Sequence, residues 1–201
     1  MFTGIVTNVG EISEVQAQAG DLRRFVIACD YDRSGIALGA SIACSGVCLT
    51  VVDTGLAGGR TWFAVDAAAE TISLTSVKSW HKGTRLNLER SLKIGDELGG
   101  HLVSGHVDGL ATVAERTDLT DQARFRLVAP ADLSRFIAKK GSVALDGVSL
   151  TVNEVDGSEF SVLVIPHTLQ VTTIGTWQKD TAVNLEIDVM ARYAARLMVE
   201  H

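Results

Sequence analysis

Short apolar runs rich in β-branched residues recur along this chain, each bounded by Gly, Asp or Asn. In the first half they span Gly4 to Val9, Arg24 to Cys29, Ser41 to Ala43, Cys48 to Val52, Trp62 to Val65 and Arg85 to Leu88. In the second half they span Leu102 to Val107, Ala123 to Val128, Ser142 to Leu145, Ser149 to Val155, Phe160 to Ile165 and Ala182 to Ile187. Runs of this length, separated by turn residues, predict antiparallel strands rather than alternating strand and helix units. Ala68 to Val77 reads as a short helix or a turn, and Asp132 to Ala138 as a helical turn entered after Pro130 and stopped by Gly141. Only near the C-terminus does the period change. Met190, Tyr193, Ala194, Leu197 and Met198 fall at helical spacing, which predicts a short amphipathic helix whose apolar stripe needs a barrel or a partner chain to cover it.

The two halves are copies of each other. Gly46-Val47-Cys48-Leu49-Thr50-Val51 recurs as Gly147-Val148-Ser149-Leu150-Thr151-Val152, and Ala40-Ser41-Ile42-Ala43 lies opposite Gly141-Ser142-Val143-Ala144 in the same register. Thr3-Gly4-Ile5-Val6 aligns with Ser104-Gly105-His106-Val107. Beyond Gly55 to Gly59 the offset shortens by four, so that Glu70 to Thr75 matches His167 to Thr172 and Leu86 to Glu89 matches Val183 to Glu186. A loop insertion in the first copy accounts for the slip, since turns tolerate length changes that strands do not. The pattern therefore predicts an all-β chain of two tandem six-stranded Greek-key barrels, over residues 1–97 and 98–188, with a C-terminal helix over 189–201.

Composition narrows the function classes. A chain of 201 residues with 46% hydrophobic and 21% charged residues is ordinary globular protein, and a net charge of -6 offers no basic face for nucleic acid. The start of the chain lacks the features of a signal peptide and no apolar run approaches a membrane span, which reads as cytoplasmic. Three cysteines, Cys29, Cys44 and Cys48, leave one unpaired in any disulfide scheme and suit a reducing compartment. Cys44 and Cys48, read as one strand, share a face but lack the spacing and histidine partners of a zinc set, so no metal is expected.

Candidate chemistry lies where the copies differ: Cys48 against Ser149, Ile5 against His106, Glu70 against His167, and Ser91 against Asp188. A lone cysteine in an apolar strand is most often a small buried hydrophobe, but serine fills cores poorly, which favours a cleft at this shared position. His106 lies in Gly99 to Gly109, a stretch with enough glycine for backbone to approach a flat ligand. The same stretch reads equally as a hinge whose histidines, His101 and His106, are hydrogen-bonded within the fold. Their spacing does not favour a shared metal, and the glycines lack a dinucleotide fingerprint. Asp188, ahead of the helix, reads locally as an N-cap before it reads as catalytic. Lys140 reads as a solvated charge, with a ligand oxygen as the alternative.

Taken together, Met1 to Val6, Gly46 to Val51, Asn87 to Leu92 running into Gly99 to Gly109, and Asp146 to Val152 resemble the riboflavin synthase α-chain family, whose members carry a duplicated lumazine-binding domain. The resemblance spans the chain. It implies two lumazine-binding barrels and a homotrimer joined through C-terminal helices. It also implies conversion of two 6,7-dimethyl-8-ribityllumazine molecules to riboflavin and a ribitylaminopyrimidine, with no cofactor. By matched position, the first pocket would comprise Ser41, Cys48, Leu49, Thr50, Asp66, Ala67, Ala68, Ala69, Glu70 and Thr71, with Gly105, His106 and Val107 entering from the second module. The second would comprise Lys140, Ser149, Leu150, Thr151, Ile165, Pro166, His167, Thr168, Leu169 and Gln170, with Gly4, Ile5 and Val6 in return. The resemblance assigns catalysis to Cys48, His106, Ser149 and Asp188, with Cys48 and His106 of one subunit facing Asp188 of its neighbour. Ala67 to Ala69 make that loop smaller than in some relatives. A non-catalytic lumazine carrier on the same barrels is the rival reading. Against it, Phe2, Cys48, His106 and Asp188 all stand here.

Overall fold

The computed structural model describes residues 1–198. The first module is a closed barrel of β1 (Asn8–Ala17), β2 (Arg23–Cys29), β3 (Ser41–Cys44), β4 (Val47–Ala57), β5 (Arg60–Ala67) and β6 (Arg85–Arg90), adjacent in the order β1-β2-β5-β4-β3-β6. β7 (Gly109–Asp118), β8 (Ala123–Val128), β9 (Ser142–Leu145), β10 (Val148–Asp156), β11 (Glu159–Val164) and β12 (Ala182–Ile187) close a second barrel with the equivalent neighbours. Helices α1 (Ala69–Leu74) and α2 (Pro166–Val171) follow β5 and β11, and α3 (Val189–Met198) ends the described chain. The helix expected over 189–201 therefore extends past the described residues by its last three positions. Among the described residues no helix is long and apolar enough to cross a membrane.

Each barrel is filled from alternate strand positions, as a two-residue side-chain period requires. Phe25, Ile27, Leu86 and Leu88 are buried in the first, and Phe125, Leu127, Val183 and Leu185 in the second. A tryptophan plugs each interior: Trp80 meets Phe25 edge-on at 5.3 Å and Trp177 meets Phe125 at 5.5 Å. Bulges after Ile12 and Val51 recur after Val113 and Val152, adding the local twist that a six-stranded sheet needs to close.

The barrels meet through their β3-β4 and β9-β10 hairpins. Ser45-Gly46 and Asp146-Gly147 are two-residue turns with positive φ at both positions, the type that matches the twist of a tight hairpin. The turns lie back to back, and a Cβ added to either Gly46 or Gly147 would come within 2.7 Å of the other's backbone nitrogen. Two buried asparagines fasten the contact. Asn87 donates to the Asp146 carbonyl at 2.9 Å and accepts the Thr173 N–H at 2.8 Å, while Asn184 donates to the Ser45 carbonyl at 2.8 Å and accepts the Ser76 N–H at 2.8 Å.

Two sequence expectations need correction here. Gly4 to Val9 reaches a barrel strand only at Asn8 and Val9, and Leu102 to Val107 lies wholly ahead of its strand: the strands begin at Asn8 and Gly109, and the preceding segments cross over to the other module. Gly4 (φ +76°) and Gly105 (φ +80°) take left-handed backbone that a strand excludes. The segments meet at an antiparallel bridge between Phe2 and Val103, which pack with Ala43 and Ala144 into a small core between the barrels. Cys44 and Cys48 also do not share a strand face. The hairpin separates them, Cys44 pointing into the first core and Cys48, opposite Ala43, pointing out.

Where the first copy has Ser45, the second has a buried carboxyl. Burial pushes Asp146 up to about 7, although the Asn184 N–H, at 2.8 Å, and the Trp177 side chain hold it down. A carboxyl with a raised folded pKa binds more protons folded than unfolded between about pH 4 and 7, so unfolding stability falls as pH rises through that window and levels above it. Urea unfolding of wild type and Asp146→Asn across this range should show wild type losing up to about 1.4 kcal/mol per pH unit relative to the variant.

Candidate functional site

The outer face of β3 and β4 forms the floor of a cleft. Ser41 pairs with Thr50 and Ala43 with Cys48, while Ile42, Leu49 and Val51 turn inward. Next to Thr50 on the same face comes Asp66 of β5, paired across the sheet with Arg24 of β2. Arg24 donates to both Asp66 carboxylate oxygens at 2.8 Å, and these hydrogen bonds hold the acid below its ordinary range. Ala68, Ala69 and Glu70 are exposed beside the cleft, and α1 begins there, with the Thr71 carbonyl accepting the Thr75 hydroxyl at 2.6 Å. The wall is supplied by the second module. Cys48 N–H donates to the Gly105 carbonyl at 2.8 Å, and Val107 packs against the first barrel's core.

The second cleft repeats this plan. Ser142 pairs with Thr151 and Ala144 with Ser149, Ser149 N–H donates to the Gly4 carbonyl at 2.8 Å, and Val6 packs with Leu169 on the second core. At both contacts glycine is compulsory: a Cβ on Gly4 would lie 2.6 Å from Ser149 Cβ, and one on Gly105 2.6 Å from Cys48 Cβ. Ile165, Pro166, His167 and Gln170 are exposed at the rim, Thr168 and Leu169 half-buried. The structure thus sets the Cys48 strand against Gly105 and the Ser149 strand against Gly4, so that each module's outer sheet face is met by the other's crossing segment. Leu49, Leu150 and Ala67 turn their side chains into the barrels and reach the clefts only through backbone.

Two buried glutamates, which the sequence pattern did not single out, hold the crossing segments. Glu89 accepts the Thr3 N–H and hydroxyl at 2.7 Å each and the Gly4 N–H at 2.9 Å. Glu186 accepts the Ser104 N–H and hydroxyl at 2.6 Å each and the Gly105 N–H at 2.9 Å. Burial raises the Glu89 carboxyl above its usual range even against these donors. The signal available was the Glu at equivalent places of β6 and β12, each following a buried leucine, Leu88 or Leu185.

The clefts differ in four further ways. Asp66 has Leu163 at the corresponding place, since Leu163 pairs with Arg124 as Asp66 pairs with Arg24. Lys140 takes the left-handed backbone (φ +69°) that its counterpart Gly39 (φ +80°) adopts freely, and its side chain is exposed. His101, in the segment between β6 and β7, places Nδ1 2.7 Å from Ser149 Oγ. Asp188 caps α3, its carboxylate accepting the Met190 N–H at 2.9 Å, while Arg192 donates to Asp108 at 2.6 Å. His106 is exposed, and within one chain no hydrogen bond among the described residues joins Cys48, His106 and Asp188.

A cavity of about 700 Å³ opens beside the first cleft, between the barrel mouth and the inter-module segment. Of the predicted residues it includes only Ile5 and Ser41. Thr7, Ile36, Arg90 and Ser91 complete much of its lining, and Ser91 is the first-copy counterpart of Asp188.

Comparison with known proteins agrees with this duplicated architecture. The lumazine binding domain profile matches residues 3–91 and again 104–188. The chain belongs to the lumazine-binding domain family. Among relatives of this family, it is 56% identical to riboflavin synthase of Brucella abortus over 98% of both chains. It is 40% identical to riboflavin synthase of Mycobacterium bovis, again over 98% of both. Its fold is similar to the crystal structure of LumP complexed with 6,7-dimethyl-8-(1'-D-ribityl) lumazine, with a TM-score of 0.78 at 25% identity, covering 93% of this chain and 99% of that one. LumP complexed with riboflavin gives a TM-score of 0.80 at 26% identity.

Because each glutamate serves a segment that walls the other module's cleft, Glu89→Ala should damage the second cleft and Glu186→Ala the first. Each leaves three donors without their acceptor, a cost of roughly 2–4 kcal/mol. Hydrogen exchange at Gly4 should accelerate in Glu89→Ala and that at Gly105 in Glu186→Ala. Acceleration at both sites in either variant would contradict the crossed arrangement.

Proposed function

We propose that this chain is a riboflavin synthase, a cytoplasmic transferase that dismutates two molecules of 6,7-dimethyl-8-ribityllumazine. A four-carbon unit passes from one to the other, giving riboflavin and 5-amino-6-(D-ribitylamino)uracil. The observation that carries this reading is the 56% identity to the Brucella abortus enzyme over nearly the whole of both chains. The paired clefts support it, because a reaction between two like molecules needs two like binding sites.

In the proposed chemistry a proton leaves the C7 methyl of one lumazine and a nucleophile adds to C7 of the other. The carbanion is delocalised into the ring, so holding the two heterocycles face to face and hydrogen-bonding their oxygens lowers the barrier more than any single base. Thr50 and Thr71 in the first cleft, and Thr151 and Thr168 in the second, hold ring and ribityl chain. Cys48 and Ser149 contact the rings, and His106 and Asp188 assist the proton transfers. The reacting pair forms between Cys48 and His106 of one subunit and Asp188 of a neighbour, within a homotrimer. The exposed Met190, Tyr193, Leu197 and Met198 on α3 supply the apolar face for that assembly.

LumP favours a second reading, a carrier that binds lumazine without turning it over, because its complexes share this fold. Adding 6,7-dimethyl-8-ribityllumazine to purified protein separates the two: riboflavin absorbance is expected, whereas a shifted lumazine spectrum without product marks a carrier. At saturating substrate, Cys48→Ser and His106→Gln should each slow turnover about tenfold or more, and wild-type rates in both would remove their roles. Deleting residues 190–201 should lower the sedimentation coefficient from that of a trimer to that of a monomer. An unchanged value sinks the helix-mediated assembly.

A further inference from the structure

The second cleft holds a histidine that the matched pocket residues do not include. His101 is anchored by its backbone N–H, which donates to the Thr3 carbonyl at 3.1 Å, and its ring lies against Ser149 with Nδ1 2.7 Å from Oγ. Gly100 makes this approach feasible, because a Cβ there would collide with the Thr3 carbonyl and sit 2.9 Å from Ser149 Cβ. The other ring nitrogen, Nε2, is buried and is the one buried side-chain polar atom among the described residues without a hydrogen-bond partner. Buried polar atoms are almost always satisfied, and one that is not commonly marks the place of a ligand or ordered water. In the first cleft no side chain among the described residues hydrogen-bonds the Cys48 thiol, so this arrangement belongs to one cleft only.

We propose that His101 equips the second cleft alone: Nδ1 orients the Ser149 hydroxyl, and Nε2 takes a polar ring atom of the bound heterocycle. This rests on the lumazine-binding reading above. Burial favours the neutral imidazole, against the pull of the Asp188 and Glu186 carboxylates. A neutral ring carries one N–H and one lone pair. With Ser149 O–H donating to Nδ1, the proton stands on Nε2 and is presented to a ring carbonyl or ring nitrogen. A planar heterocycle rich in acceptors satisfies that donor, whereas an aliphatic occupant leaves it stranded. Serine at 149 and cysteine at 48 then gain a physical reason: the hydroxyl pairs with the imidazole, and a thiol is too weak a donor to fix the tautomer.

The test uses the full-length protein and an unreactive lumazine, the 8-ribityllumazine in which trifluoromethyl replaces the C7 methyl whose proton must leave. Fluorescence titration of wild type resolves two binding classes, assigned by Thr50→Val for the first cleft and Thr151→Val for the second. His101→Asn keeps an amide near the Nδ1 position but removes Nε2. It should weaken the second class about tenfold, leave the first class unchanged and leave the thermal midpoint near wild type. His101→Gln, whose amide reaches the Nε2 position, should recover part of the loss. In ¹⁵N-histidine NMR of wild type, the His101 Nε2 resonance should shift on saturation with lumazine. Equal weakening of both classes, an unaffected second class, or an Nε2 resonance that stays put while ligand binds would each overturn the assignment. Wild-type protein that binds no lumazine would sink the lumazine reading and this inference together, whereas binding with an unaffected second class sinks only the inference.

Discussion

The back-to-back contact of the two hairpin turns is the constraint from which the rest of the molecule follows. Gly46 and Gly147 approach so closely that neither can carry a side chain, and Asn87 and Asn184 each satisfy a donor and an acceptor of the opposite module. Such reciprocal bonds use every polar atom of a buried amide, which makes the relative position of the barrels a matter of hydrogen-bond satisfaction rather than of apolar area alone. A buried asparagine tolerates little displacement, because any shift strands its own groups and the backbone atoms it serves. The clefts are therefore fixed relative to each other by the same contact that joins the modules.

From that contact the exchange of walls becomes geometrically necessary. With the barrels joined at β3-β4 and β9-β10, the segment leading into each barrel passes the outer face of the other. There it is held by a glutamate at its own barrel's last strand, and its glycine presses on Cys48 or Ser149. Neither cleft exists in an isolated module. Duplication thus produced two sites that are structurally dependent on one another, and the differences between them are single side chains: Asp66 against Leu163, Gly39 against Lys140, Cys48 against Ser149. The first cleft carries a carboxylate tied to Arg24, and the second carries a lysine and an imidazole. The two faces therefore present different electrostatic surroundings on otherwise equivalent scaffolds.

Much of this was legible from the chain. The strand runs, the repeat and the tight turns follow from local rules, because alternation and glycine act over a few residues. The equivalence of Cys48 with Ser149 favoured a cleft because serine fills cores poorly, and the placement of Ile5 and His106 in the pockets came from the family resemblance. Gly4 to Thr7 of the run Gly4 to Val9, and Leu102 to Val107, were misread as strand because β-branched residues favour extended backbone wherever they stand, and the pattern does not report which sheet, if any, will pair with them. Glu89, Glu186 and Asp146 read as ordinary charges in sequence. Their significance comes from partners 38 to 86 residues away.

The sequence by itself determined the two barrels and the equivalence of Cys48 with Ser149, since side-chain period and internal repetition are encoded locally, whereas the remaining pocket residues came from the family resemblance. Tertiary structure alone decided that Glu89 and Glu186 hold the crossing segments, that Asp66 is committed to Arg24, and that His101 reaches Ser149 while its other ring nitrogen is buried without a partner. Those outcomes depend on the path of the chain between barrels and on which polar groups become buried together. No short-range pattern carries that information, because burial and hydrogen-bond partnership are properties of the assembled fold.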